Sequence, residues 1–275
     1  MQRLTSLFDL HCHIIPGVDD GSPDLETSLA MAQMSASEGV RVIACTPHIL
    51  PGVYDNTGPD IRSRVQTLQS HLDAAGIDCR LVVGCDAHIA RDLVGKLRSG
   101  LVLGIHDSRY VLVEPPHHFL PPNVDRLFFD LLAAGYVPVL THPERMCWAD
   151  HNDDLLHRLI QSGAWMQVTA GSILGGFGQR AKRRAEQMLS QGWVHIVASD
   201  AHNTEHRPPT MGQAFRALCD LVGFDEAENL VKVRPGAILE NRAPDSAPAL
   251  PYRETNAYDI KAETFFGRAV RHFRG

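Results

Sequence analysis

Seven short apolar runs rich in β-forming residues recur along this chain, and most are followed by a stretch with helical periodicity. The runs cover residues 7–13, 40–47, 80–86, 110–115, 137–142, 165–170 and 194–200. Parallel strands need a long crossover, usually a helix, so short buried strands alternating with helices imply an α/β fold. The sheet is either open or closed as a barrel. The best-marked helix joins the first two runs. Ser22 is placed to cap it, Pro23 suits its first turn and Gly39 its end, with Leu25, Leu29, Ala32 and Ala36 on one face. Further helical patterns cover 60–75, 123–134, 152–162, 179–191 and 210–222.

Some segments depart from that rhythm. Residues 48–59, rich in Gly, Pro and Asn, read as a loop over the sheet's mouth, and 120–122 and 174–178 are also loop-like. The periodic region ends near residue 242, giving one domain over 1–242. Residues 243–275 then read as a linker and tail, opening with Ala-Pro-Asp-Ser-Ala-Pro-Ala-Leu-Pro. Within the tail, 260–274 fits a basic amphipathic helix carrying Phe265, Phe266 and Phe273, either docking elsewhere or packed on the domain.

A formal charge of -6 gives no reason to expect nucleic acid or an anionic membrane as partner. No apolar run has the length of a membrane span, and residues 1–6 lack a signal-peptide core. Six scattered cysteines without a CxxC pair read as reduced thiols. The expectation is a cytoplasmic protein, with its oligomeric state left open.

Fifteen histidines are the unusual count, and their positions matter more than their number. Run one ends in His11-Cys12-His13. Alternate strand residues share a face, so both imidazoles point one way and Cys12 the other. Asp19-Asp20 follows. Run two ends in Thr46-Pro47-His48, run three in Gly84-Cys85-Asp86 and run four in Val113-Glu114-Pro115. Run five ends in Thr141-His142-Pro143-Glu144-Arg145 and run seven in Ser199-Asp200-Ala201-His202. Each piece alone has an ordinary reading: an HxH in a strand is more often packing than a ligand pair, and a strand-end carboxylate often caps a helix. Their repetition at strand ends is harder to dismiss, because in parallel barrels those ends meet at the active face. Imidazole and carboxylate without thiolate suit Mn²⁺, Zn²⁺ or Fe²⁺. Such ions offset the repulsion among clustered carboxylates and acidify bound water. A metal-dependent hydrolase with two or three divalent ions is the reading.

The run Asp9-Leu10-His11-Cys12-His13 through Asp19-Asp20-Gly21 resembles the opening motif of the PHP superfamily (polymerase and histidinol phosphatase). More narrowly, it resembles the bacterial metal-dependent protein-tyrosine phosphatases of capsule and exopolysaccharide loci, the CpsB type. Thr46-Pro47-His48, Glu114-Pro115-Pro116, Thr141 to Arg145 and Ser199 to Asn203 agree in order and approximate spacing, so the likeness spans 8–240. The resemblance implies a distorted seven-stranded (β/α) TIM-like barrel, the PHP fold, holding a trinuclear, usually manganese-containing centre that also admits Fe²⁺, Zn²⁺ or Co²⁺. It implies that His11 and His13 hold one ion with Asp86 and Asp200. Asp86 would bridge to a second ion on Glu114 and His142, and Asp20, His48 and His202 would hold a third. Arg145 and Arg207 would bind substrate phosphate, a task that suits a planar guanidinium fork. The implied substrate is phosphotyrosine on protein, the tyrosine-rich tail of an autophosphorylating kinase governing polysaccharide export.

Two positions depart from the family pattern. Asp86 stands where glutamate is usual, one methylene shorter in reach, and His88 stands where a basic residue is common; it could touch substrate or simply pack. Among rivals, a histidinol-phosphate or other small-molecule phosphoesterase would use nearly the same metals. An exonuclease would need a basic track that the sequence lacks. A metal-stabilised binding protein without turnover sits poorly with Arg145 and Arg207. Cys85-x5-Arg91 matches the spacing of cysteine phosphatases. Its intervening Asp-Ala-His-Ile-Ala has no glycine to cradle phosphate and carries a carboxylate that disfavours a thiolate, so the match reads as coincidence.

Overall fold

A computed structural model describes residues 6–90 and 92–251. The strands are β1 Leu7–Cys12, β2 Val40–Cys45, β3 His48–Leu50, β4 Tyr54–Asp55, β5 Arg80–Val83, β6 Asp86–His88, β7 Tyr110–Glu114, β8 Val137–Thr141, β9 Trp165–Thr169 and β10 Ile196–Ala198. The helices are α1 Leu25–Ser37, α2 Gly58–Ala74, α3 Leu93–Arg98, α4 Val124–Ala133, α5 Asp153–Gln161, α6 Ala170–Ile173, α7 Gly178–Ser190, α8 Met211–Val222, α9 Phe224–Glu228 and α10 Arg234–Leu239. Every residue of β7, β8 and β9 is buried, as expected of parallel strands covered on both faces. Alternate strand positions such as Leu10, Ala44, Val82, Leu112 and Val139 pack together inside. The larger apolar cluster lies between the strands and the surrounding helices.

From β6 to β10 the strands pair in chain order, whereas β2 pairs with β5 and β3 with β6; every pair is parallel apart from the antiparallel β3–β4 hairpin. Among the described residues they do not join into one closed ladder. Instead β1-β2-β5 form a three-stranded sheet, and β10-β9-β8-β7-β6-β3-β4 a seven-stranded one. The third apolar run is divided between them: β5 pairs with β2, while β6 pairs with β3 and β7. At the break, the buried Cys85 thiol accepts the Leu103 N–H at 3.3 Å. The first and last runs touch through the Cys12–Ala201 bridge, where Asp200 N–H donates to His11 O at 2.7 Å and His13 N–H to Ala201 O at 2.9 Å.

Two local expectations change. Residues 48–59 contain the β3–β4 hairpin rather than a plain loop. Helix α1 is capped by Asp24, whose carboxylate accepts the Thr27 N–H at 2.8 Å. Ser22 is instead buried, its hydroxyl donating to Asp24 O at 2.9 Å and lying 2.8 Å from the Ser28 hydroxyl. Gly39 does follow the helix end with φ +94, a conformation that costs glycine little. Past residue 242, Pro248 and Ala249 lie against the domain, their carbonyls accepting from the buried Arg234. The helix expected at 260–274 lies outside the described residues. No described helix is long and apolar enough to cross a membrane.

One buried histidine away from the strand-end cluster makes stability depend on pH. His195 stacks on Trp165, and its Nδ1 accepts the Met166 N–H at 3.0 Å. Burial, and then the Arg234 charge, push its pKa well below 6.5. The unfolded chain takes up that proton near 6.5 while the folded chain refuses it. This contribution to stability is therefore complete above pH 6.5 and is lost as pH falls, at about 1.4 kcal/mol per unit. His195→Gln is expected to flatten the fall in denaturation midpoint between pH 7.5 and 5.5. An identical fall in both proteins would clear His195 of that role.

Candidate metal centre

Backbone turns at the strand ends aim the predicted residues inward. His142 and Asp200, just past β8 and near the end of run seven, adopt left-handed φ of 33 and 50. Such a conformation is costly outside glycine, and here it bends the chain where each side chain turns into the centre. Gly21 answers a different demand: a Cβ there would lie 2.2 Å from His13 O. Its absence lets the Asp19–Asp20 loop close on His13.

All nine expected ligands meet. His11 Nε2 lies 3.4 Å from both Asp86 Oδ2 and Asp200 Oδ1, and His13 Nε2 lies 3.3 Å from Asp200 Oδ1. Asp20 Oδ1 is 3.4 Å from both His48 and His202. Glu114 Oε1 is 3.4 Å from His142 Nε2. Four sets of donors lie close enough to share an ion: His13, Asp20, His48 and His202; His11, His13 and Asp200; His48, His88 and Glu114; Glu114, His117 and His142. Asp86 is in none of these four. Its nearest imidazoles are His11 and His48 (3.5 Å) rather than His142.

Several partners were not anticipated. Gln167 on β9 fixes the His11 ring, its Oε1 2.9 Å from Nδ1. Asp19 fixes His13, with Oδ2 2.8 Å from Nδ1, and also accepts the His48 N–H at 3.0 Å. Asp200 O holds His202 Nδ1 at 3.0 Å. Partners of this kind set the tautomer and aim the other nitrogen inward. His88 and His117 reach Glu114 at 2.6 and 3.1 Å. His117 follows the strand-end carboxylate by three residues, a signal present in the sequence; Gln167 carries none.

The donor chemistry fits cations. With both Nδ1 atoms donating to Gln167 and Asp19, the Nε2 lone pairs of His11 and His13 face each other at 3.1 Å. That contact is repulsive unless a proton or a metal ion lies between. Both oxygens of buried Asp86 lack a hydrogen-bond partner, an arrangement that costs several kcal/mol unless a cation compensates it. Against burial, which would lower it, Asp19 and Asp200 hold the His13 pKa up to about 10. Burial and His13 push His48 down to about 4, and burial and Arg145 push His142 down to about 3. The last two therefore offer lone pairs at neutral pH.

The two predicted arginines close one side. Arg145 Nη1 and Arg207 Nη2 both engage Asp200 Oδ2, the second at 2.7 Å. Burial would raise the Asp200 pKa, but Arg207, His11 and Arg145 hold it well below the usual carboxylate range. Both guanidinium groups lie over the Phe177 ring, at 4.2 and 5.6 Å from its centroid. Buried Glu144 accepts the Thr169 N–H at 3.0 Å and the Ser172 hydroxyl at 2.7 Å, anchoring the turn that carries Arg145.

The fold recurs in solved structures. The phosphotriesterase homology protein of Escherichia coli shares the fold, with a TM-score of 0.52 at 11% identity over 84% of this chain and 96% of that one. Much nearer is a crystal structure reported for YwqE from Bacillus subtilis and CpsB from Streptococcus pneumoniae, "unique metal-dependent tyrosine phosphatases". Its TM-score is 0.86 at 32% identity, covering 91% of this chain and 100% of that one. In sequence, the chain is 36% identical to the tyrosine-protein phosphatase YwqE of Bacillus subtilis over 201 residues, 73% of this chain and 79% of the relative. It is 29% identical to the tyrosine-protein phosphatase CpsB of Streptococcus pneumoniae over 85% of this chain and 98% of that protein. The family model for capsular polysaccharide synthesis, CpsB/CapC, matches residues 7–240, and the chain belongs to that family.

Proposed function

We propose that the chain is a metal-dependent protein-tyrosine phosphatase. It would act in the cytoplasm on the tyrosine-rich tail of an autophosphorylating kinase that controls capsule or exopolysaccharide synthesis. The observation that carries the reading is the convergence of His11, His13, Asp86 and Asp200 beside two arginines, in a chain of the CpsB/CapC family. We assign His11, His13, Asp20, His48, Asp86, Glu114, His142, Asp200 and His202 to two or three divalent ions, Mn²⁺ foremost. We also take the two sheets as one distorted seven-stranded barrel, opened at Cys85.

Bound divalent ions would supply Lewis acidity and a water acidic enough to attack at neutral pH. The protein's own groups do the rest. Gln167, Asp19 and Asp200 O hold the His11, His13 and His202 rings in place. Arg145 and Arg207 bind the phosphoryl oxygens, for which their planar forks are suited, and Phe177 supports both guanidinium groups from below. Phenolate is a fair leaving group, so no strong general acid is required.

A substrate panel tests the assignment. Phosphotyrosine peptide, histidinol phosphate, sugar phosphates and oligonucleotides are compared by kcat/KM with the metal-loaded enzyme. The peptide is expected to exceed every alternative by at least roughly 100-fold, the discrimination that well-placed pocket contacts supply. A preference for histidinol phosphate would move the chain to small-molecule hydrolysis.

A further inference from the structure

Glu114 is surrounded by more imidazole than its own charge requires. We infer that His88 and His117 are metal donors, making the Glu114 end of the centre a nitrogen-rich site that holds its ion without Asp86. This rests on the metal centre proposed above and deepens it.

The two histidines arrive by different routes. His88 lies two residues after Asp86 on β6, hence on the same face, and the β6–β7 register sets it directly beside Glu114. Its Nε2 is 2.6 Å from Glu114 Oε2, which His48 Nδ1 also approaches, to 3.3 Å. His117 sits in the loop after β7, and that loop is held on both sides. Trp148 Nε1 donates to Pro116 O, and Cys147 N–H donates to His117 O, each at 2.9 Å. His117 Nε2 is thereby kept 3.1 Å from Glu114 Oε1, the oxygen that His142 Nε2 also faces.

Each carboxylate oxygen thus belongs to its own triplet, His48–His88–Glu114 on one side and His117–His142–Glu114 on the other, every donor within 4.8 Å of its companions. Donors about 2 Å from a common ion fall within such a spread. Asp86, meanwhile, is directed at His11 and His48. Exchanging a carboxylate for imidazoles favours Zn²⁺, Co²⁺ and Fe²⁺ over Mn²⁺ and Mg²⁺. The competing role for His88 and His117 is hydrogen bonding to Glu114 alone.

Metal retention separates the two roles without an activity assay. The full chain is stripped with chelator, loaded with Co²⁺ or Zn²⁺ and dialysed. Metal content is then read by elemental analysis, and the Co²⁺ sites by visible absorption. The doubly substituted H88A/H117A protein is expected to retain one ion fewer than wild type and to lose part of the Co²⁺ spectrum. Affinity at that site should fall by more than the roughly 100-fold typical of losing an outer partner. H88Q/H117Q keeps an N–H for Glu114 and should show the same loss, and it serves equally if the alanine protein fails to fold. His118→Ala, at the exposed neighbour, should retain the wild-type content. Unchanged content and spectrum in the folded double variants, or full rescue by glutamine, would overturn the inference. A wild-type protein retaining no ion at all would instead defeat the metal centre itself.

Discussion

EDTA is expected to lower phosphatase turnover by at least ~10³-fold, Mn²⁺ to restore it, and iodoacetamide to leave it unchanged. The size follows from what an ion contributes: about 4 kcal/mol of transition-state stabilisation is three decades in rate. The chelator arm rests on the strand-end cluster, where Asp20, Asp86, Glu114 and Asp200 converge on five expected histidine ligands. The alkylation arm rests on Cys85. Its thiol is fully buried, it is engaged with the Leu103 backbone at 3.3 Å, and burial pushes its pKa up to about 12. A nucleophilic cysteine needs the opposite: partial exposure and a depressed pKa. Cys147 is exposed and Cys219 half-buried, so both are open to alkylation; the assay is run in a Cys147→Ser/Cys219→Ser background, where any loss of activity reports on a buried thiol. Inhibition by iodoacetamide with indifference to EDTA would exchange the metal reading for covalent catalysis.

Much of this centre was legible because two simple periods govern it. A strand turns alternate residues to one side, so His11 and His13 had to face together, and parallel order brings successive strand ends to one face. Those rules use only local sequence, and the nine expected ligands do meet. What they omit is set by contacts between distant segments. Nothing in Trp165-Met166-Gln167 marks Gln167 as the group that orients His11 across 156 positions. Strand period does not divide the pair Asp19-Asp20, and only the family resemblance singles out Asp20: one carboxylate turns back on His13, the other outward to His48 and His202. The third run reads as one strand because its apolar pattern is continuous. Its division at Cys85 depends on the Leu103 segment reaching the thiol, a tertiary event. The sequence leaves His88 open between substrate contact and packing, since only the β6–β7 register sets it against Glu114.

Replacing Arg145 and Arg207 together by alanine is expected to reduce kcat/KM for a phosphotyrosine peptide by at least ~10⁴-fold while metal content stays near wild type. Losing one preorganised donor to a developing oxyanion costs about 10²–10³, and two acting on one phosphoryl group need not add simply. Geometry explains why both should matter. Each guanidinium lies over Phe177 and faces Asp200 Oδ2, so the two already share a single anionic target. A phosphate dianion would present three acceptor oxygens where Asp200 offers one. Arg207 is also fixed at its backbone, its N–H donating to Asn203 Oδ1 at 3.0 Å and its carbonyl accepting the His202 N–H at 2.9 Å. Arg145 is tied through its carbonyl, which accepts from Arg180 Nη2 at 2.6 Å. The arginines could instead serve only to neutralise Asp200, and the lysine variants distinguish these roles. Lysine keeps the charge beside Asp200 but loses the planar fork, so R145K and R207K should retain metal yet still lose turnover. Metal loss that tracks the activity loss through both alanine and lysine series would assign the pair to Asp200 and remove them from substrate binding.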